Sequence, residues 1–286
     1  MTSSEVFSII TFVYGAAALL YMVAWVFKKT LAGKLATAAL TFAAFGNLAG
    51  ILLRWVESHR MGIGRAPLTN LYESLIFFAL ATAIIYLFVE FKYKLRILGA
   101  IAAPISFLAM AYASLPKINT GIQPLIPALK SNWLIAHVMS CFIGYAAFTV
   151  AFGISIMFLV KSSGEGKPSG AQPSGMTGRI PALDILDDLT HQMVTFGFLF
   201  LSIGIITGAV WAKQAWTRYW SWDPKETWSL ITWFIYAALL HLRMMRGWRG
   251  NRIAILSIIG FLAVLFTYFG VNYWLSGLHS YGAASQ

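Results

Sequence analysis

The sequence predicts an all-α polytopic integral membrane protein of about eight transmembrane helices, with an outward-facing Trp-rich segment. Composition is the first reason for this fold class. Of the 286 residues, 59% are hydrophobic and 11% are charged, and the mean hydropathy is +0.72, which is typical of membrane proteins rather than soluble domains. The second reason is a series of apolar runs of roughly 20 residues, the length at which a helix crosses a hydrocarbon core about 30 Å thick.

Eight apolar runs follow one another along the chain. The first does not resemble a cleavable signal peptide, because it lacks a basic leader, carries Glu5 and is long enough to span the bilayer. An even number of spans places both termini on one side of the membrane. The predicted spans are Val6–Phe27, Leu35–Val56, Leu71–Glu90, Leu95–Leu115, Trp133–Val160, His191–Val210, Thr227–Leu242 and Ile253–Trp274.

One segment departs from the membrane pattern. Residues 161–182 are rich in Gly, Ser and Pro, which predicts a flexible cytoplasmic linker. The linker divides five N-terminal spans, residues 1–160, from a three-span C-terminal part, residues 183–286. We expect the two parts to form one functional membrane domain. Directly after the linker, residues 182–190 alternate Asp with Leu and Ile, which predicts a short amphipathic helix.

Basic residues predict the orientation. Thirteen Lys and Arg fall in one set of alternate loops and eight in the other, so the positive-inside rule places the first set in the cytoplasm. Both termini and the Trp-rich segment then face outward. The sequence pI of about 9.8 reflects this topology, and it does not indicate nucleic-acid binding, because the chain contains no soluble basic domain.

The Trp-rich segment, residues 208–233, joins the sixth and seventh spans. It holds six of the eleven tryptophans, whereas an ordinary interfacial belt spreads Trp over many helix ends. We therefore expect a flat aromatic shelf for a large planar ligand. Asp223, Pro224 and Glu226 have the spacing of a helix N-cap, first position and third position. The candidate ligand-binding residues are Trp211, Trp216, Trp220, Trp222, Asp223 and Trp228.

Histidines supply candidate iron ligands. His137 and His279 are predicted at the outer level of the Trp-rich segment, whereas His241 lies thirteen residues beyond Trp228, roughly 20 Å deeper. Neutral imidazoles are common haem ligands and a pair can fill both axial positions. This predicts an outer bis-histidine site and a separate inner site at His241. His59 is interpreted as an interfacial side chain hydrogen-bonded to backbone.

Other residues bear on the site less directly. Arg218, Lys213 and Arg54 are candidates for pairing with haem propionates. The single cysteine, Cys141, excludes an internal disulfide and a thiol-ligated zinc or iron–sulfur site within this chain. Cys141 lies four residues after His137, on the same helical face, and we expect it to be a buried, inert thiol.

The segment WAKQAWTRYWSWDPKETWSLITW resembles the WWD signature of the haem-handling proteins of cytochrome c maturation. The order His137, WWD segment, His241, His279 matches that family. The loop RAPLTNLYES and the closing LHSYG resemble its CcsA or ResC branch, also labelled CcsB, of the system II pathway. His191 stands where the family pattern leads us to expect tyrosine, so no ligand role is carried onto it.

The resemblance implies a function in which haem b is the substrate. Haem would enter from the cytoplasmic side, be held with His241 as one ligand, and reach the outer site with His137 and His279 as axial ligands. Its vinyl groups would there be presented to the Cys-x-x-Cys-His motif of apocytochrome c. The resemblance further implies a ResB-type membrane partner, thioredoxin-like thiol-reducing proteins in the pathway, and a bacterial inner or thylakoid membrane.

Two other classes of function remain open from the sequence. One is a haem exporter or chaperone that presents haem without forming the thioether bonds itself. The other is a small-solute transporter, which is disfavoured because the spans contain few ionisable groups and no broken helices in repeated halves.

Overall fold

The computed structural model describes residues 2–125, 130–165 and 180–275, and the described chain is helical without β-strands. Eight helices are each long and apolar enough to cross a membrane, which confirms the predicted fold class. They are α1 Ser3–Phe27, α2 Thr30–Arg60, α3 Leu71–Tyr93, α4 Arg96–Ala113 with a 3₁₀ first turn, α5 Asn132–Glu165, α6 Leu183–Trp216, α7 Pro224–Arg246 and α8 Asn251–Trp274.

Helix α6 corrects one sequence-based expectation. The predicted short amphipathic helix of residues 182–190 is not a separate element, because α6 runs without a break for 34 residues. No Gly or Pro separates Thr190 from His191, so nothing ends the helix there. Asp187 and Asp188 bind Arg243, whereas Asp184 is exposed. Helix α5 also continues to Glu165, into the predicted linker, and residues 166–179 lie outside the described part of the chain.

Helix α5 lies at the centre of the bundle and packs against α3, α6 and α8. The α5–α6 contact is close, because a Cβ placed on Gly144 would lie 3.0 Å from the Gly197 carbonyl oxygen. Small residues that let backbones approach are typical of helix contacts in membranes, where apolar burial contributes little between helices. Since α5 precedes the predicted linker and α6 follows it, the two parts of the chain are packed together.

A buried ionic cluster joins the C-terminal end of α2 to the N-terminal end of α3. Glu73 Oε1 pairs with Arg54 Nε at 2.8 Å, and Glu73 Oε2 pairs with Arg65 Nη1 at 2.7 Å. Arg54 Nη2 also donates to the Thr120 carbonyl at 2.8 Å, and Asn70 caps α3. The RAPLTNLYES loop therefore has a bracing role. Arg54 is 2% exposed, so the suggestion that it pairs with a propionate at the rim is wrong.

A second ionic cluster lies at the opposite end of the bundle, where it joins α6 to α7. Arg243 Nη2 of α7 donates to Asp188 Oδ1 at 3.0 Å, and Asp187 Oδ1 accepts from the Gly250 amide at 2.9 Å. Charged side chains at membrane depth are costly unless paired. These pairings hold α6, α7 and the turn into α8 in register, and they set the level of His241 relative to α6.

Candidate functional site

His137 is held in one orientation between the N-terminal part of α5 and the C-terminal part of α6. Its Nδ1 lies 2.7 Å from the Gly204 carbonyl oxygen, which can only accept, so Nδ1 carries the proton. Its ring stacks on Trp211 at 6.1 Å between centroids with an interplanar angle of 13°. Donation through Nδ1 places the imidazole lone pair on Nε2, the arrangement that orients a histidine for metal ligation. The predicted common level of His137 and the Trp-rich segment is confirmed by this contact.

Two glycines of α6 make room for this arrangement. A Cβ on Gly208 would lie 2.6 Å from His137 Nδ1, and one on Gly204 would lie 2.5 Å from Cys141 Sγ. Both distances are closer than real Cβ atoms approach, so larger residues would displace the imidazole or separate the helices. Cys141 is buried against Gly204, with Sγ 3.7 Å from His137 Nδ1. These glycines and the Gly204 carbonyl were missed by the sequence analysis.

The Trp-rich segment folds as two helix ends and a short connection. Trp211 and Trp216 lie in α6, Trp220 and Trp222 in the connection, and Trp228 in α7. Trp211 is buried behind His137 and meets Trp216 at 4.8 Å and 67°. Trp220 and Trp222 meet edge to face, at 5.8 Å and 88°. These rings do not share one plane, so the prediction of a flat aromatic shelf is corrected.

Trp222 is the most exposed aromatic side chain of the connection. It is 69% exposed, and its φ of 58° is left-handed, a conformation in which the Cβ of an L-residue crowds the following carbonyl. Strained residues of this kind persist only where the surrounding structure holds them in place, and they are concentrated at ligand-binding and active sites. The exposed indole is thus maintained at a cost in backbone energy.

We expect the Trp222→Gly variant to be more stable than Trp222→Ala by about 1 kcal/mol, because glycine adopts positive φ without a Cβ clash. Thermal unfolding of the two purified variants measures the difference. The same pair at Trp220, whose φ is not positive, is the matched control and should show no advantage for glycine. Equal stability of Trp222→Gly and Trp222→Ala would contradict the strain.

Asp223 starts α7 with the predicted capping box. Its Oδ1 accepts from the Lys225 amide at 2.9 Å, the Glu226 side chain accepts from the Asp223 amide, and Pro224 occupies the first turn. Glu226 Oε2 also accepts from the Ser221 amide at 2.7 Å. The capping role predicted for these residues is confirmed, and it explains why the connection enters α7 in a defined direction.

Replacing Asp223 by Ala is expected to cost about 1 kcal/mol, the usual value of an N-cap. Asp223→Asn should cost less, since asparagine retains the capping oxygen. Thermal unfolding measures both, and Asp184→Ala, an exposed acid in the first turn of α6, serves as control. If Asn were as damaging as Ala at unchanged protein levels, the Asp223 charge rather than its cap would be the important property.

The C-terminal part of α8 packs against the Trp-rich segment. Residues 266–270 form a π-helical segment, a feature frequent at functional sites, and Phe266 packs on Trp228 with centroids 4.2 Å apart. Lys225 Nζ donates to Asn272 Oδ1 at 3.0 Å, which connects α7 to α8. Lys225 is therefore bonded inside the bundle.

The two remaining candidates for pairing with propionates lie near the connection. Lys213 Nζ donates to the Thr217 carbonyl at 3.0 Å and lies over the Tyr219 ring, so it caps the end of α6. Arg218 is exposed. Of the three cations singled out from the sequence, Lys213 and Arg218 are exposed, and Arg218 lies in the connection itself.

Of the other described histidines, His191 and His241 lie away from this site, nearer the other end of α6 and α7. His279 lies outside the described residues. His241 is exposed on α7, away from the face of Thr232, Tyr236 and Leu239 that packs on the bundle. His191 lies on α6 at about the same level, and its buried Nδ1 has no hydrogen-bond partner among the described residues.

His59 behaves as an interfacial side chain. Its Nδ1 donates to the Trp55 carbonyl at 2.9 Å, within its own helix. The predicted hydrogen bond of His59 to backbone is confirmed.

Comparison with known proteins gives the family. A model of the family described as "Cytochrome C assembly protein" matches residues 68–279, which include His137 and the whole Trp-rich segment. The chain belongs to this family. It is 42% identical to the cytochrome c biogenesis protein CcsA of Porphyra purpurea over 77% of this chain and 79% of that protein. With CcsA of Pyropia yezoensis it is 38% identical over 96% of this chain and 97% of that protein.

The fold has a relative among solved structures. The cytochrome c haem lyase CcmF superposes on 94% of this chain with a TM-score of 0.68 and 17% sequence identity, and the chain spans 47% of that protein. At this identity the likeness concerns the fold. Together with the CcsA relatives, family membership confirms the branch expected from the sequence and places the chain in cytochrome c biogenesis, as an integral membrane protein.

Proposed function

We propose that this protein is the membrane component of a system II cytochrome c synthase, which receives haem b and presents it at the outer site for thioether attachment to apocytochrome c. The observation that carries the proposal is the oriented imidazole of His137. Its Nδ1 donates to the Gly204 carbonyl at 2.7 Å beside a cluster of tryptophans. A histidine oriented in this way presents Nε2 as an iron ligand.

Haem is the substrate of this site. His279 is the proposed second axial ligand, on the segment that follows the exposed Trp274 at the outer end of α8. Trp222 and Trp220 would contact the porphyrin, since large aromatic rings bury apolar area and prefer offset or edge contacts. Trp216 and Trp228 border the same segment, and Arg218 is the proposed propionate partner.

The attachment reaction needs positioning more than new chemical groups. Each thioether bond forms when a cysteine S–H adds across a haem vinyl group, sulfur bonding to one carbon and hydrogen to the other. No oxidant is consumed, so the cysteines must arrive reduced, which is the role proposed for thioredoxin-like proteins. Holding haem against a bound Cys-x-x-Cys-His segment converts an encounter in solution into an oriented reaction, an effect that can supply several kcal/mol.

The inner site is proposed to hold haem on its way outward. His241 faces away from the bundle at the end of α7 opposite the Trp-rich segment. An exposed histidine on a membrane helix can bind one face of a haem whose other face is bound by a residue of another chain. We therefore assign the second inner ligand to a ResB-type partner, and we place the tryptophan site on the outer side of a bacterial inner or thylakoid membrane.

Reconstitution tests the proposal. The full chain purified with its ResB-type partner and loaded with haem is mixed with reduced apocytochrome, and the product is examined for haem that survives denaturation and acidic extraction. Covalent haem on the apocytochrome is the expected result. Haem bound at the outer site without covalent product would instead support the exporter or chaperone alternative, and absence of a haem absorption band would overturn both.

A further inference from the structure

A shallow, open cavity of about 520 Å³ lies at the surface between α2 and α3, on the side opposite the Trp-rich segment. This side carries more of the basic residues and is predicted to face the cytoplasm. We call the cavity the inner groove. Its walls combine cations, hydroxyls and phenyl rings, among them Lys34, Thr37, Thr41, Phe42, Phe45 and Arg96.

The polarity of the inner groove changes with depth. Lys34 lies near the start of α2, the two threonines follow, and Phe42 and Phe45 come last, all on one face of the helix. Eleven residues separate Lys34 from Phe45, about 16 Å along a helix. That is roughly half of the ~30 Å hydrocarbon thickness. The groove therefore has the polarity and length of one leaflet, with the charges at its surface end.

Arg96 is fixed beside Lys34 by two contacts. Its Nε donates to the buried Glu90 Oε1 at 3.1 Å, and its side chain crosses α2 at Gly33, where an added Cβ would lie 3.5 Å from Arg96 Cδ. The Arg96 side chain remains 49% exposed. Two cations thus line one cavity from different helices. Glu90 offsets part of the Arg96 charge, and an anion between Lys34 and Arg96 would offset the remaining positive charge.

We propose that the inner groove binds an anionic phospholipid of the adjoining leaflet. Its phosphate lies between Lys34 and Arg96, and an acyl chain lies along Phe42 and Phe45, whose side chains are 63% and 69% exposed. Haem, the other amphipathic anion in this system, fits less well, because no His, Cys, Met or Tyr is among the described residues that line the groove. The proposal is independent of the outer site.

Native mass spectrometry of the full chain tests the proposal. The protein is released from nanodiscs of mixed phosphatidylglycerol and phosphatidylcholine, and the lipids that stay bound are identified. Wild type should retain phosphatidylglycerol in preference to phosphatidylcholine. Lys34→Gln should reduce this preference about fivefold, the effect expected for one cation at a membrane surface. Lys92→Gln combined with Arg246→Gln, two exposed cations of the same side outside the groove, is the matched control and should leave the preference unchanged.

A second variant removes the apolar part of the groove and keeps both cations. Ala38 lines the cavity and is exposed, so Ala38→Trp should fill the groove without disturbing the core. The Ala38→Trp variant should retain less phosphatidylglycerol if the acyl chain occupies the groove. If the cations alone bound the phosphate, retention would be unchanged. Wild-type retention in both Lys34→Gln and Ala38→Trp would overturn the proposal, and so would haem retained at the groove in place of lipid.

Discussion

The His137→Ala, His279→Ala double variant is expected to abolish cytochrome c maturation, and each single variant should reduce it more than tenfold. The physical reason is ligation. Removal of His137 takes away an imidazole whose Nδ1 is held by the Gly204 carbonyl and whose ring is stacked on Trp211, and with it the Nε2 proposed to bind iron. Loss even of groups that merely orient a metal ligand typically costs 10–100-fold in metal affinity or activity. The measurement is covalent haem on a co-expressed cytochrome c.

Imidazole distinguishes ligation from folding. Added imidazole can occupy the position vacated by the His137 or His279 side chain, so it should partly restore maturation in the single variants and change their haem absorption spectra. His59→Ala is the matched control, because His59 is exposed and bonds to its own helix, and it should mature cytochrome normally. Full maturation by the double variant would refute the outer bis-histidine site.

Glu73→Ala is expected to give the largest loss of stability, about 3–5 kcal/mol, which is the usual cost of leaving a buried charge unpaired. Glu73 is 2% exposed and pairs with both Arg54 and Arg65. Its removal leaves two buried guanidinium groups without a carboxylate. The effect is measured as a fall in melting temperature of the purified protein and in its level in membranes.

Two further variants make the Glu73 result interpretable. Asp184→Ala removes an exposed acid and should change stability little. Replacing Arg54, Arg65 and Glu73 together by Met removes the charges as a set and should recover part of the loss, since apolar side chains often replace buried ion pairs without a large penalty. Recovery will be incomplete, because Arg54 and Arg65 also bond to the carbonyls of Thr120 and Gln123. A Glu73→Ala variant as stable as wild type would show that the cluster is not a brace.

Features set by neighbouring residues were predictable from the sequence, whereas features set by residues far apart in the chain were not. The capping box of Asp223 and Glu226 was predictable because its groups lie within three residues of each other. The predicted end of α5 and the separate amphipathic helix before α6 were wrong for the opposite reason. Helix α5 continues through Lys161 to Glu165, and Asp187 is paired with Arg243, which lies 56 residues away in the chain.

The sequence by itself determined the eight spans, the cap of α7 and the family, because hydropathy, capping and motifs are properties of neighbouring residues. The tertiary structure decided which nitrogen of His137 carries the proton, because the accepting carbonyl belongs to Gly204 on another helix, 67 residues away. It also decided that Trp220 and Trp222 meet at right angles, that Arg54 is a buried brace, and that Arg96 lies beside Lys34. Each depends on which helix faces pack together, since side-chain orientation and burial are set by contacts between residues far apart in the chain.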